Sequence, residues 1–176
     1  VELNVVDGVI LPNLKMQGTE EACAYLDEEG RSSIHPYRPG ICRLFPLGRF
    51  YENGSFQYFL QIHECKKENR TKVKVKKWID TPDLKQYEAY ISRWHYFLKD
   101  IRTAETEAAQ KLLAEPCTGT AQEQEIQKKN RAAAAAEREK RRNLLIMKLF
   151  YLLPYDGKKD FYEQFEKRMQ MAERSL

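Results

Sequence analysis

Three cysteines, Cys23, Cys42 and Cys65, follow one another with 18 and 22 residues between them, and a fourth, Cys117, stands apart. Thiolates are soft, anionic ligands suited to zinc or to iron–sulfur centres. His35, His63 and Glu64 lie near these cysteines in sequence and have the chemistry to complete a mononuclear site. Spacing alone does not single out that use. Zinc ribbons declare themselves through close C-x-x-C pairs, which this sequence lacks, and a free cysteine serves equally well as a small buried apolar residue. A long, Lys/Glu-rich chain with no signal segment at its start points to a reducing cytoplasm, where thiols stay free or bind metal rather than pair as disulfides.

Cys42 sits in RSSIHPYRPGICRLFPLGRF, residues 31 to 50, which has three prolines, two glycines, four arginines and no clean helical or strand period. Pro36, Pro39 and Pro46 forbid a continuous helix, while Gly40 and Gly48 permit tight turns. Arg38 and Arg43 flank the thiol. They suit either the stabilisation of a thiolate or anion or the simpler task of bonding loop carbonyls and the acidic turn Asp27-Glu28-Glu29. His95, beside Trp94, reads as a packing residue. No G-x-S-x-G, Walker loop, dinucleotide fingerprint or H-E-x-x-H is present, so no enzyme signature stands out.

The elements that must hold these residues follow from turn signals and period. VELNVVDGVILPNLKM opens the chain as a hairpin around Asp7-Gly8. ACAYLDEEGRSSIH reads as a short strand, an acidic turn closing at Gly30 and another extended piece. A second hairpin spans RFYENGSFQYFLQIHEC, with Asn53-Gly54 as its turn. KVKVKKW alternates lysine and valine, as a guarded edge strand or a basic ribbon does. Thr81 is the expected N-cap of a helix with Pro82 at its first position. Leu84, Tyr87, Ile91, Trp94 and Leu98 form its apolar stripe, and it runs to about Ala114. Pro116 and Gly119 interrupt. A long alanine-rich helix is expected from near Gln122 to Leu153, and a final amphipathic one carries Phe161, Phe165 and Met169.

Thirty basic and 26 acidic residues leave a formal charge of +4. The excess is local, in KKENRTKVKVKK and KKNRAAAAAEREKRR, and the near balance argues against a nucleic-acid partner, whose binding domains carry a broader basic footprint. No apolar run approaches the ~20 residues of a membrane span. Val1 opens the sequence, so either the start has been removed or the chain begins inside a longer protein.

The succession CAYLDEEGR, SSIHPYRPGICRLFPLGR, a hairpin ending in HEC, and VKKWIDTPDL resembles the YkgJ-like cysteine-cluster family, over roughly residues 9 to 98, with RPGICRLFPLG its most specific part. Members are described as zinc- or iron-chelating domains, and flagellin lysine N-methylases carry a related one. The resemblance implies a metal site through Cys23, Cys42 and Cys65 that holds zinc or an iron or iron–sulfur centre in a structural or redox role. It also implies a bacterial, cytoplasmic setting. Two departures stand out: the family's upstream C-x-x-x-C-x-x-C-C type cluster is absent, and Ser32 occupies a position where the pattern has cysteine. A damaged, partial or empty site is therefore expected in this chain. The family also raises protein-lysine N-methylation as an enzymatic alternative, and the basic ribbon raises a protein- or nucleic-acid-binding module. The expected architecture is α+β: small antiparallel hairpins and the Pro-rich cysteine loop on a helix over residues 1–103, then a helical extension over 104–176 whose helices offer a surface to a protein partner.

Overall fold

The computed structural model describes residues 1–6, 8–62 and 71–176. The fold is α+β, with small antiparallel two-stranded sheets and helices. The chain divides into two compact units, one built from Val1–Leu14 with Phe97–Leu176, the other from Lys15–Tyr96.

In the first unit, β1 (Glu2–Val6) and β2 (Val9–Asn13) pair antiparallel, with Val6 opposite Val9. Gly8 lies in the turn at φ +78°, a conformation that favours glycine. Asn143 pins this hairpin from the long helix α4 (Ala121–Met147): its Oδ1 accepts from the Ile10 amide at 3.0 Å and its Nδ2 donates to the Gly8 carbonyl at 3.2 Å. Arg142 donates to the same carbonyl at 2.7 Å and pairs with Glu105. Burial lowers the pKa of Arg142. Thr120 caps α4 through a reciprocal capping box with Glu123, which satisfies orphan amides at the helix start.

The helix relaxes into a π-helical turn over Lys148–Leu152, and α5 (Phe161–Ser175) closes the unit, capped by Asp160. The core is Val9, Phe97, Ile101, Ile146, Leu149, Phe150, Phe165, Met169 and Ala172. Arg168 is buried among them. It donates at 2.7 Å to each of the carbonyls of Leu149, Leu153 and Pro154 and lies 3.6 Å from the Tyr155 ring centre, so it satisfies the end of the π turn.

The second unit begins with β3 (Met16–Gln17) paired to β4 (Ala22–Cys23), then a turn around Gly30 bridged between Leu26 and Ser32. The Pro-rich stretch differs from the irregular loop expected. Its prolines punctuate it into a 3-10 turn, His35–Tyr37, and a five-residue helix α1 (Gly40–Leu44), with Pro39 immediately before α1. The hairpin β5 (Leu47–Glu52) and β6 (Ser55–Leu60) turns at Asn53 and Gly54, both with positive φ (50° and 76°), as a type I′ turn demands.

The Lys/Val stretch does not form a strand or ribbon where it is described. Val75–Ile79 is a short helix, α2, because Ile79 buries to 1% exposure and the Trp78 indole donates to the Phe45 carbonyl at 3.2 Å, with left-handed Asp80 ending the turn. The next helix, α3 (Leu84–Ala114), reaches Ala114 as expected, but its cap is Asp83 rather than Thr81. The Asp83 carboxylate accepts from the Gln86 amide at 2.9 Å, and its carbonyl accepts from the Tyr87 amide at 3.0 Å. Among the described residues no helix is long and apolar enough to cross a membrane.

Candidate metal centre

Cys23 ends β4, opposite Met16, and its carbonyl accepts from the Leu26 amide at 3.1 Å. The acidic turn that follows is organised by Asp27, whose carboxylate accepts from the amides of Glu29 (3.0 Å) and Arg31 (2.7 Å). Ser33 closes the turn through its Oγ to the Tyr25 carbonyl at 3.0 Å. Ser32 stands opposite Leu26.

Cys42 lies in the first turn of α1, where its amide and that of Arg43 both donate to the Pro39 carbonyl at 3.0 and 3.2 Å. The Arg43 guanidinium spreads three ways: to the carbonyls of Arg38 (3.2 Å), Asp80 (3.1 Å) and Pro36 (3.0 Å). One planar fork thus ties both sides of the cysteine turn to the end of α2, a task to which arginine geometry is suited. Of the two uses open to Arg43, bonding loop carbonyls is the one seen. An Arg38 guanidinium nitrogen lies 3.5 Å from His35 Nε2, and the Glu29 carboxylate of the acidic turn pairs with Arg31 on the open surface. Leu44 buries α1 within its own unit, and α1 packs on α2.

Cys23 and Cys42 are therefore free, half-buried thiols within one compact unit. Cys65, His63 and Glu64 lie outside the described residues. Tetrahedral zinc takes four donors, almost always thiolate, imidazole or carboxylate. Among the described residues no three His, Cys, Asp or Glu side chains gather as such a donor set. The described residues alone thus do not make a metal centre, and Ser32 offers a neutral hydroxyl where a thiolate would serve. Cys117 belongs to the other unit, on the α3–α4 connection, where Arg131 donates to its sulfur at 3.7 Å and pairs with Glu115 at 3.5 Å.

Beside the cysteine turn lies a cluster that sequence reasoning did not isolate. Arg49, on the β5–β6 face turned to α3, sits 5.3, 5.8 and 5.5 Å from the ring centres of Phe56, Tyr58 and Tyr87 and donates to the Tyr87 hydroxyl at 3.1 Å. Burial works against its charge, but the Tyr87 hydroxyl and the other phenols outweigh that and raise its pKa. Tyr51 stacks on His95 at 3.5 Å, which places His95 in packing as expected. Burial, together with the Glu88 carboxylate, pushes the Tyr58 phenol up to about 12. Tyr87 also touches the cysteine turn, since a side chain at Gly40 would strike its hydroxyl. The sequence placed Tyr87 on the apolar stripe of its helix, but its meeting with Arg49 was not legible, because the two are 38 residues apart.

No protein-family model, curated protein or solved structure matches the chain.

Proposed function

We propose that this chain is a cysteine-cluster protein of the YkgJ-like kind, in which Cys23, Cys42 and Cys65 contribute thiolates to a zinc, iron or iron–sulfur centre with a structural or redox role. The observation that carries the reading is the housing of Cys42: a free thiol on a turn fixed by prolines and by the three-way fork of Arg43. A ligand needs that fixity, because a preorganised donor loses less entropy when metal binds. A fourth donor has to come from beyond these three cysteines, and the low softness of Ser32 makes it a poor candidate.

Metal analysis and absorption spectroscopy of anaerobically purified protein test the proposal. It requires bound zinc or iron that falls away in a Cys42→Ala variant that still folds. A folded, metal-free wild-type protein that takes up neither metal on titration sinks it.

A further inference from the structure

We propose that the outer edge of β6, with the α3 surface beside it, receives an extended peptide strand bearing a basic side chain. This stands independently of the metal reading.

The first support is hydrogen-bonding capacity. Glu52 and Ser55 close a two-residue turn and so form a hydrogen-bonded pair. Such pairs alternate along an antiparallel ladder. The Gln61 amide donates to the Pro46 carbonyl at 3.0 Å, which continues the same phase at the far end. Phe56, Tyr58 and Leu60 are therefore the out-of-phase residues, and their backbone N–H and C=O groups point away from β5. Among the described residues β6 pairs with β5 alone. Natural edges are commonly guarded by lysine, proline or a bulge, whereas SFQYFL contains no charge and no proline.

The second support is space. An open groove of about 650 Å³ lies at the turn end of β6, lined by residues 54–58 on one side and by Glu88, Ala89 and Ser92 of α3 on the other. That volume is in the range of ligand-binding clefts, and the small side chains of Ala89 and Ser92 keep the α3 wall low. The third support is charge: Glu88 is the one ionisable carboxylate among the groove's described lining. An added strand would thus meet backbone donors and acceptors along β6, the rings of Phe56 and Tyr58, and a single acid. Strand addition with one side-chain selector is an established mode of peptide recognition, and here the selector favours lysine or arginine.

The test is fluorescence anisotropy on the full chain with a labelled heptapeptide of alternating threonine and valine and a central lysine. Saturable binding below ~1 mM is expected. Glu88→Gln should weaken it about fivefold, as should glutamate in place of the peptide's lysine. Methylating alternate peptide amides in the pairing phase should abolish it, and methylating the other phase should not. Ala89→Trp, an exposed helical change that fills the groove, should abolish binding while leaving the far-ultraviolet circular dichroism unchanged. No saturable binding by the wild-type chain overturns the proposal. So does binding indifferent to Glu88, to Ala89→Trp and to amide methylation, or self-association through β6 that the peptide does not displace.

Discussion

Replacing Arg43 with methionine keeps the aliphatic stem and deletes the guanidinium that secures the cysteine turn. Three carbonyls, of Pro36, Arg38 and Asp80, then lose donors at 3.0 to 3.2 Å. Each such bond is worth about 0.5–1.5 kcal/mol net. Two of the three are open to solvent, so water replaces part of the loss, and the expected destabilisation of the turn is ~2 kcal/mol, or about 30-fold in its opening equilibrium. Native-state hydrogen exchange reads this directly at the amides of Cys42 and Arg43, both bonded to the Pro39 carbonyl. Their protection should fall by about that factor while the ladder amides of β5 and β6 stay as they were. Arg43→Lys should recover little, since an ammonium cannot span three divergent carbonyls. A change under about threefold, or an equal loss in β5 and β6, would refute the claim that this fork is what fixes Cys42.

Arg168→Met should lower stability by about 3–5 kcal/mol, because it leaves three buried or part-buried carbonyls unpaired. Thermal unfolding followed by circular dichroism should register a drop of roughly 10 °C, and a change within 2 °C or so would show that the π turn holds without it. Tyr58 and Tyr151 are both pushed up to about 12, chiefly by burial. The native state thus holds these protons more tightly than unfolded phenols near pH 10. Their contribution is intact below pH ~10 and is lost as pH rises toward 12. An absorbance titration of tyrosinate should therefore show a late step coincident with unfolding, reduced in Tyr58→Phe; all tyrosines titrating together near pH 10 in folded protein would contradict it.

The elements fixed by local chemistry were legible in the sequence. Asn53-Gly54 demanded positive φ twice and produced the expected hairpin, and the break at Pro116 and Gly119 was followed by a capped helix starting at Ala121. Lysine and valine alternating over 72–77 carried a strand's period, yet Val75–Ile79 is helical, because burying Ile79 and bonding Trp78 to Phe45 outweigh that pattern. Thr81 was the expected cap, but the helix begins at Leu84 and the carboxylate of Asp83, also a favourable capping type, accepts from the Gln86 amide instead. At the candidate site, residue types identified Cys23 and Cys42 as available thiols, and the structure shows them free. Arg43's fork was not legible, since Asp80 lies 37 residues away, and neither was the cage around Arg49, whose walls come from a hairpin and a helix. Such contacts depend on tertiary pairing, which short-range pattern does not encode.

The proposed metal centre is most directly tested by the metal content per chain of anaerobically prepared protein, measured by inductively coupled plasma mass spectrometry on the wild type and on Cys23→Ala, Cys42→Ala and Cys65→Ala. The cysteine-cluster reading predicts zinc or iron in the folded wild type and its loss in each of the three variants, with Cys117→Ala unaffected. Metal retained by all three variants, or a folded wild type that neither contains nor takes up metal, would contradict it.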